Sequence, residues 1–421
     1  MAPLRFNKRV LVAQLESTYG QDPGAAAAAD ALLAKNVELT PIDGDQLSDE
    51  TVRPYFGAYE AYLVNQRVPM RFRIDAVNVG ATKLDAGEAP AHSVVTRAGG
   101  MAETIVAPGA TIQASPPTAD GSPTGSFTYT AGDPYEGVLD RTVTLECTTA
   151  GGSGVAEFTV SAPATKHLSA YDQTGVVMTD GSDFPLPGGA TIQPTVGTDF
   201  AVGDTFTVQL TAPGTFYTPV SGDFDSASLF MQLDRNRHPA RGFRCELGLV
   251  CEANNFLGLT YDGIGLFADP SSETPFNVDY SAFENPVPVT DANTPYVAID
   301  GTEYKLRSLE LALGQQVEKR SLVGQESVEI TDRQGGNSQV TIEAPDVATA
   351  NFFKKIAENN AVVPVELIHG TARGATVHVE AKRAQLTQPS YSEEQGIAML
   401  QMSLRLLPSD SGNDEITIGF K

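Results

Sequence analysis

"EITDRQGGNSQVTIEAP", Glu329 to Pro345, reads as two short strands around a polar, glycine-containing turn. "AYLVNQRVPMRFRIDA", Ala61 to Ala76, has the same outline. In the second stretch Val68, Met70, Phe72, Ile74 and Ala76 recur at every second position, which puts them on one face of a strand. Each stretch predicts a hairpin, with turns near Asn65-Gln66-Arg67 and near Arg333-Gln334-Gly335-Gly336-Asn337. The same alternation runs through "AMLQMSLRLL" (Ala398, Leu400, Met402, Leu404, Leu406) and through "ASLFMQL", "VTIEA", "VPVEL" and "VHVEA". So many period-two segments, separated by Gly or Asn, predict a mainly β protein of antiparallel sheets with one solvated face. His378, flanked by Val377 and Val379, falls on that solvated face.

Helical signals are few. "DVATANFFKKIAENN" sets Val347, Phe352, Phe353 and Ile356 on one side, with Asn359-Asn360 as a stop. "DPGAAAAADALLAKN" reads either as a second helix or as a flexible arm.

A length of 421 residues suits two or three domains. No apolar run approaches the ~18 residues of a membrane span. The apolar run Val10 to Ala13 is too short for a signal peptide, so the expectation is a protein made in the cytosol, with no membrane partner. The net charge of −24 argues against gripping DNA or an anionic membrane, which takes clustered Lys and Arg. Of the three cysteines, Cys245 and Cys251 lie six positions apart on one extended run, about 20 Å at ~3.3 Å per residue. That exceeds the ~7 Å reach of a disulfide, and buried thiols are expected.

From about Ala107 to Thr215 the chain turns rich in Thr, Gly, Ala and Pro. This segment holds 11 acidic and 2 basic residues, a net of −9. Short Thr/Val strands between glycine turns predict an inserted sandwich of immunoglobulin-like type. "APG" stands at both seams, Ala107 to Gly109 and Ala212 to Gly214, and an insertion needs its two ends close together.

Without the insert, the rest divides into halves that can be overlaid. "LTPIDGDQLSDETVRPYFGAYEAYLVNQRVPMRFRIDA" from Leu39 matches "LELALGQQVEKRSLVGQESVEITDRQGGNSQVTIEA" from Leu309 in order of elements. Both end on Ile-acid-Ala, Ile74-Asp75-Ala76 and Ile342-Glu343-Ala344. Further on, "ASLFMQLDRNRHPARGFRCEL" overlays "VPVELIHGTARGATVHVEA", sharing Ala-Arg-Gly at 240–242 and 372–374. Two β modules by duplication is the reading: residues 1–106 with 216–295, then 296–421, with 107–215 inserted.

No catalytic or metal-binding pattern appears. The histidines (His92, His167, His238, His369, His378) have no ligand-spaced Cys, Asp or Glu. Gly-x-Ser-x-Gly, phosphate-cradling and His-Glu-x-x-His patterns are missing, so neither an enzyme nor a cofactor is expected. The acidic pairs Asp43/Asp45 and Asp180/Asp183 read as solvated surface.

The stretches "RVLVAQLESTYGQDP", "NVELTPIDGDQLSDETVRPYFGAYE", "SLVGQESVEITDRQGGNSQVTIEAPDVATANFF" and "QPSYSEEQGIAMLQMSLRLLPSDSGNDEITI" resemble the major tail tube proteins of long-tailed bacteriophages. The insert resembles the immunoglobulin-like modules that decorate some tail proteins, and it departs from the simplest family members. The resemblance implies a virion structural protein with two tail-tube β-sandwich or barrel modules, assembled in the host cytoplasm. Its rings would stack around a channel for the tape measure protein and then DNA, meeting tail terminator and tail-tip proteins at the ends. A ring of six equivalent modules is built from six single-module chains or three double-module chains, so three of these chains per ring are expected, with a hexamer as the alternative. Asn65, Gln66, Arg67, Arg333, Gln334 and Asn337 are then candidates for hairpins that line the channel or reach the next ring. The rival classes are a secreted or surface β-sandwich adhesin, favoured by the insert, and a carbohydrate-active enzyme.

Overall fold

The computed structural model describes residues 3–166 and 168–421; His167 lies outside them. The protein is mainly β, with short helices between strands. In chain order come β1 (Arg9–Leu15), β2 (Ala31–Leu32), β3 (Ala34–Leu39), β4 (Asp43–Ser48), β5 (Ala61–Asp75), α1 (Ala81–Asp85), α2 (Ser93–Ala98) and β6 (Met101–Val106). The insert follows: β7 (Thr118–Asp120), β8 (Ser126–Ala131), β9 (Arg141–Thr149), β10 (Glu157–Ala162), β11 (Tyr171–Val177), β12 (Phe184–Pro185), β13 (Thr191–Thr198) and β14 (Thr205–Leu210). Then come β15 (Gly214–Pro219), β16 (Ala227–Leu233), β17 (Asn236–Glu252), β18 (Gly258–Phe267) and β19 (Ser271–Ser272). The last part holds β20 (Tyr296–Ile299), β21 (Thr302–Glu303), β22 (Leu306–Ala312), β23 (Gln315–Leu322), β24 (Gln325–Arg333) and β25 (Ser338–Glu343). It closes with α3 (Phe352–Asn359), β26 (Val362–His369), β27 (Val377–Glu394), β28 (Ile397–Leu406) and β29 (Thr417–Phe420).

Two runs of six strands share one antiparallel order. The first is β1, β16, β17, β18, β5, β3. The second is β20, β26, β27, β28, β25, β22. Registers repeat as well. Ile74 stands opposite Leu259 and Ala34, as Ile342 stands opposite Leu400 and Leu306, and β3 and β22 each slip register one or two residues further on. The reading of Ile74-Asp75 against Ile342-Glu343 therefore follows the structure. The shared Ala-Arg-Gly does not: Ala240 lies inside β17, while 372–374 lie in the turn before β27.

Alternation explains which face is covered. Val68, Met70, Phe72 and Ile74 of β5 are buried, as are Leu400, Met402, Leu404 and Leu406 of β28. They join one hydrophobic core that spans both repeats. Each large side chain withdrawn from water contributes roughly 1.5–3 kcal/mol, so the repeats stabilise each other rather than folding around separate centres. Ala398 lies outside this core and is exposed.

Helix α3 begins at Phe352 rather than near Asp346, because the Asn351 side chain accepts from Lys354 N–H at 2.8 Å and caps the first turn. It ends where Asn360 takes a left-handed conformation, φ +55°. The alanine-rich stretch forms no α-helix. It makes a 3₁₀ turn at Ala28–Asp30 and then enters β2 and β3, because Leu32 pairs with Leu11 and packs into the core.

The insert is a sandwich of a five-stranded and a three-stranded antiparallel sheet with its own core, which includes Phe127, Phe158, Phe200 and Phe206. Its ends are adjacent, since Val106 and Gly214 are Cα partners between β6 and β15. Ala212 and Gly214 at the second seam are buried, so the insert is seated rather than tethered. The seat is on the second repeat. Val138 and Leu139 pack with Tyr296, Ala298 and Ile368, and Lys166 pairs with Glu366. Glu366 also meets His378 Nε2 at 2.5 Å, and Lys421 Nζ lies 3.3 Å from His378 Nδ1. His378 does point away from the main core, but the insert covers that face. Burial holds its pKa below the usual value despite Glu366.

Replacing residues 107–213 with a short Gly/Ser linker should leave a soluble, folded chain, because antiparallel partners lie only about 5 Å apart. Uncovering Tyr296 and Ile368 should lower the urea midpoint by an amount equivalent to a few kcal/mol. An unfolded product would mean the segment belongs to the main core.

His92, buried against Phe420 (ring centroids 4.6 Å apart) and 3.1 Å from Thr96 Oγ1, has its pKa pushed down from 6.5 to about 4 by desolvation. The unfolded chain then binds the extra proton. The associated stability is complete above pH 6.5 and is lost as pH falls toward 4, by about 3 kcal/mol. His92→Gln should flatten the curve of urea midpoint against pH across that window.

Candidate assembly interface

Each repeat sends out a two-stranded arm. In the first, β4 pairs with β5, with Asp43 opposite Arg67; in the second, β23 pairs with β24, with Gln315 opposite Arg333. Both arms then slip register by one residue, so that Asp45↔Val64 matches Val317↔Ile330. Arg67 and Arg333 therefore occupy equivalent places at the arm bases.

The expected turns are corrected by the topology. Residues 65–67 lie inside β5, where Asn65, at φ +55°, marks an irregularity in a continuous strand. The first arm turns instead through residues 49–60. Arg333 to Asn337 is a crossover, because β24 pairs with β23 while β25 pairs with β22 and β28. Gly335-Gly336 serves that crossing. A Cβ on Gly336 would meet Ala312 Cβ at 2.5 Å, and one on Gly314 would meet Gly336 N at 2.4 Å.

The structure sets the first three singled-out residues against the arms and scatters the other three. Ser321 Oγ donates to Asn65 Oδ1 at 2.6 Å, and the buried Lys319 Nζ donates to the Gln66 carbonyl at 2.6 Å. Arg67 Nε donates to Asp43 Oδ2 at 2.7 Å across its own arm. The two arms thus touch at residues 65 and 66, the first of the two expected turns, and not at 333–337. Gln334 stays local, donating to Asp332, and Asn337 is exposed in the crossover. Arg333 is turned inward: it pairs with Glu415 at 2.9 Å and donates to the Val220 carbonyl at 2.6 Å.

The second arm lies across the first repeat. Val328 and Ile330 are buried. Arg244 Nη1 donates to the Val328 carbonyl at 2.7 Å, Nη2 donates to the Phe224 carbonyl at 2.8 Å, and the guanidinium pairs with Glu329. Val328 N–H donates to Tyr19 Oη at 2.5 Å. Burial pushes the Tyr19 phenol up to about 12, so it stays neutral. Tyr19 is held in place by Glu16, whose carboxylate accepts from Gly20 N–H (2.7 Å), Ser226 Oγ (2.6 Å) and Gly242 N–H (2.7 Å). Gly242, at φ +57°, leaves room for the Tyr19 ring, which a Cβ would approach to 2.7 Å. Gln315 Oε1 accepts from Leu247 N–H at 2.8 Å.

Beside the arm, the sheets of the two repeats join. β17 pairs with β22, with Leu249 opposite Leu311 and Cys251 opposite Leu309. Glu252 meets Arg307 at 3.2 Å across this junction. The three cysteines are free and buried. Arg244, Tyr19, Glu16 and Gln315 escaped the sequence reading. The partner of Arg244, Glu329, is 85 positions away, and no local spacing links them.

No protein-family model matches the chain, and no curated protein matches it at a significant level.

The two equivalent arginines should behave differently. The Arg333 and Glu415 side chains are 12% and 9% exposed, whereas Arg67 is about one-third exposed. Arg333→Glu should cost about 3–5 kcal/mol of fold stability, as expected when a buried pair loses one partner. Arg67→Glu should cost under about 1 kcal/mol, as for exposed pairs. Urea midpoints of the two single variants check this. Reversing both charges therefore tests fold stability before it tests assembly.

Proposed function

We propose that this chain is the structural subunit of a bacteriophage tail tube. Three chains would form a ring of six repeats, and rings would stack around a channel for the tape measure protein and then DNA. The observation that carries the reading is the junction inside the chain: two repeats of the same strand order and register, joined edge to edge in one sheet. A junction between unlike edges is heterologous, so repeating it from copy to copy generates a ring or a helix. Closure also removes exposed strand edges, which otherwise invite aggregation.

The resemblance supplies the number six and the tail. It also supplies assembly in the host cytoplasm and the partners at the tube ends. The face of the sheet turned from the core supports a channel wall. It carries Glu38, Arg71, Arg73, Glu246 and Asp262, with Arg71 neutralised by Asp262 and Arg73 turned onto the Phe256 carbonyl, beside Gln339, Thr341, Gln401, Ser403 and Arg405. On such a wall the acids Glu38, Glu246 and Asp262 are interleaved with the arginines. Of the net charge of −24 the insert carries −9, and the remaining −15 on the repeats would repel DNA within a Debye length of about 8 Å, which favours sliding over binding. The insert, roughly 13 Å in radius of gyration for ~100 residues, would obstruct a channel and belongs on the outside. There it acts as a solvated coat or as a weak cell-surface contact.

Purified protein should give rings and hollow tubes by electron microscopy, and isolated rings should have the mass of three 44.5 kDa chains. Rings of six chains would overturn the trimer, and monomers at high concentration would overturn the tube.

A further inference from the structure

The surfaces that the two repeats bury against each other have counterparts at the chain's outer edges, and those counterparts are more exposed, although Tyr391 rests on Phe353 (ring centroids 5.4 Å apart). Leu249 lies opposite Leu259, which lies opposite Ile74; Tyr391 lies opposite Leu400, which lies opposite Ile342. Leu249 and Tyr391 are therefore equivalent, yet Leu249 is 1% exposed and Tyr391 57%. The difference is β22, which flanks Leu249 and has no equivalent beside Tyr391: β26 pairs with β27 only as far as Gln385. On the joining strand, Leu309 and Leu311 of β22 are buried, whereas the corresponding Val37 and Leu39 of β3 are only partly so. β3 pairs with β5 on one side. The arms tell the same story. Val328 is fully buried on the first repeat, while its counterpart Tyr62 is 57% exposed.

We infer that two copies of this chain join by repeating the β17–β22 junction, with the β3 edge of one copy adding to Ser390–Glu394 of β27 in its neighbour. The strands run antiparallel, with Leu39 opposite Tyr391 and Val37 opposite Glu393. The β4–β5 arm of the first copy then lies across the neighbour's second repeat, as β23–β24 lies across the first repeat here. Charges agree in sign. Glu394 stands where Glu252 stands, and Lys35 where Arg307 stands, so an acid and a base would meet between copies, each sharing the partner it already has within the chain, Arg307 at 2.8 Å for Glu394 and Asp75 at 2.5 Å for Lys35. The first arm is thereby assigned to the adjacent copy within one ring rather than to the channel or the next ring. This deepens the tube reading and rests on it for closure, but the register comes from the chain's own internal junction.

Engineered disulfides test the register. Opposed antiparallel residues lie about 4.5–5.5 Å apart, within disulfide reach, and the native thiols are buried. Oxidised Leu39→Cys/Tyr391→Cys protein should run as covalently linked multimers on a non-reducing gel. Leu39→Cys/Glu393→Cys, displaced by two residues or about 6.6 Å along the strand, should stay unlinked. Rings without the first bond, or with the second, would overturn the register and leave the tube reading standing. Protein that stays monomeric by mass at all concentrations would overturn both. If the cysteine variants fail to fold, hydrogen exchange on the unmodified protein decides. Amides of 34–39 and 390–394 should slow about tenfold or more on assembly, as when withdrawn into a sheet. Unchanged exchange in assembled protein would overturn the inference.

Discussion

Leu249 and Cys251 face Leu311 and Leu309 across the edge between β17 and β22, and this short stretch of ladder turns two repeats into one sheet. Without it each repeat would present an open edge and a half-covered apolar face. With it a single core runs through both. Each leucine buried at the junction stabilises it by roughly 2 kcal/mol, and the ladder hydrogen bonds fix its register.

Polar contacts specify what the leucines stabilise. Arg244 satisfies the carbonyls of Phe224 and Val328 while pairing with Glu329, which locks the second arm to one position on the first repeat. Lys319, with its side chain almost fully buried, meets the Gln66 carbonyl and Glu326 at 3.0 Å. A buried cation is costly unless its donors are matched, so these contacts penalise any shifted placement of the arm. The same logic governs the seat of the insert, where Lys166, Glu366, His378 and Lys421 gather over a small apolar patch. The insert leaves the chain through β6 and β15, a strand pair laid against β29 beside β27, and it rests on the second repeat as well.

By itself the sequence determined the mainly β class, the buried faces of β5 and β28, the capped helix ending at Asn359 and the doubled outline. Those follow from local rules, since period-two alternation and Asn at helix ends act within a few residues. It also set residues 65–67 and 333–337 at corresponding places, and the strand registers then matched Arg67 with Arg333. Tertiary structure alone decided that residues 65–67 continue a strand, because β4 and β18 both pair along β5 and hold it extended. It decided that Arg333 points inward to Glu415, 82 positions away, that an alanine run joins a sheet, and that His378 is covered by an insert some 200 residues earlier. Each of these depends on a partner distant in the chain, and side-chain pattern carries no information about which edge, 80 or 200 residues off, will arrive to fill the vacant side of a strand.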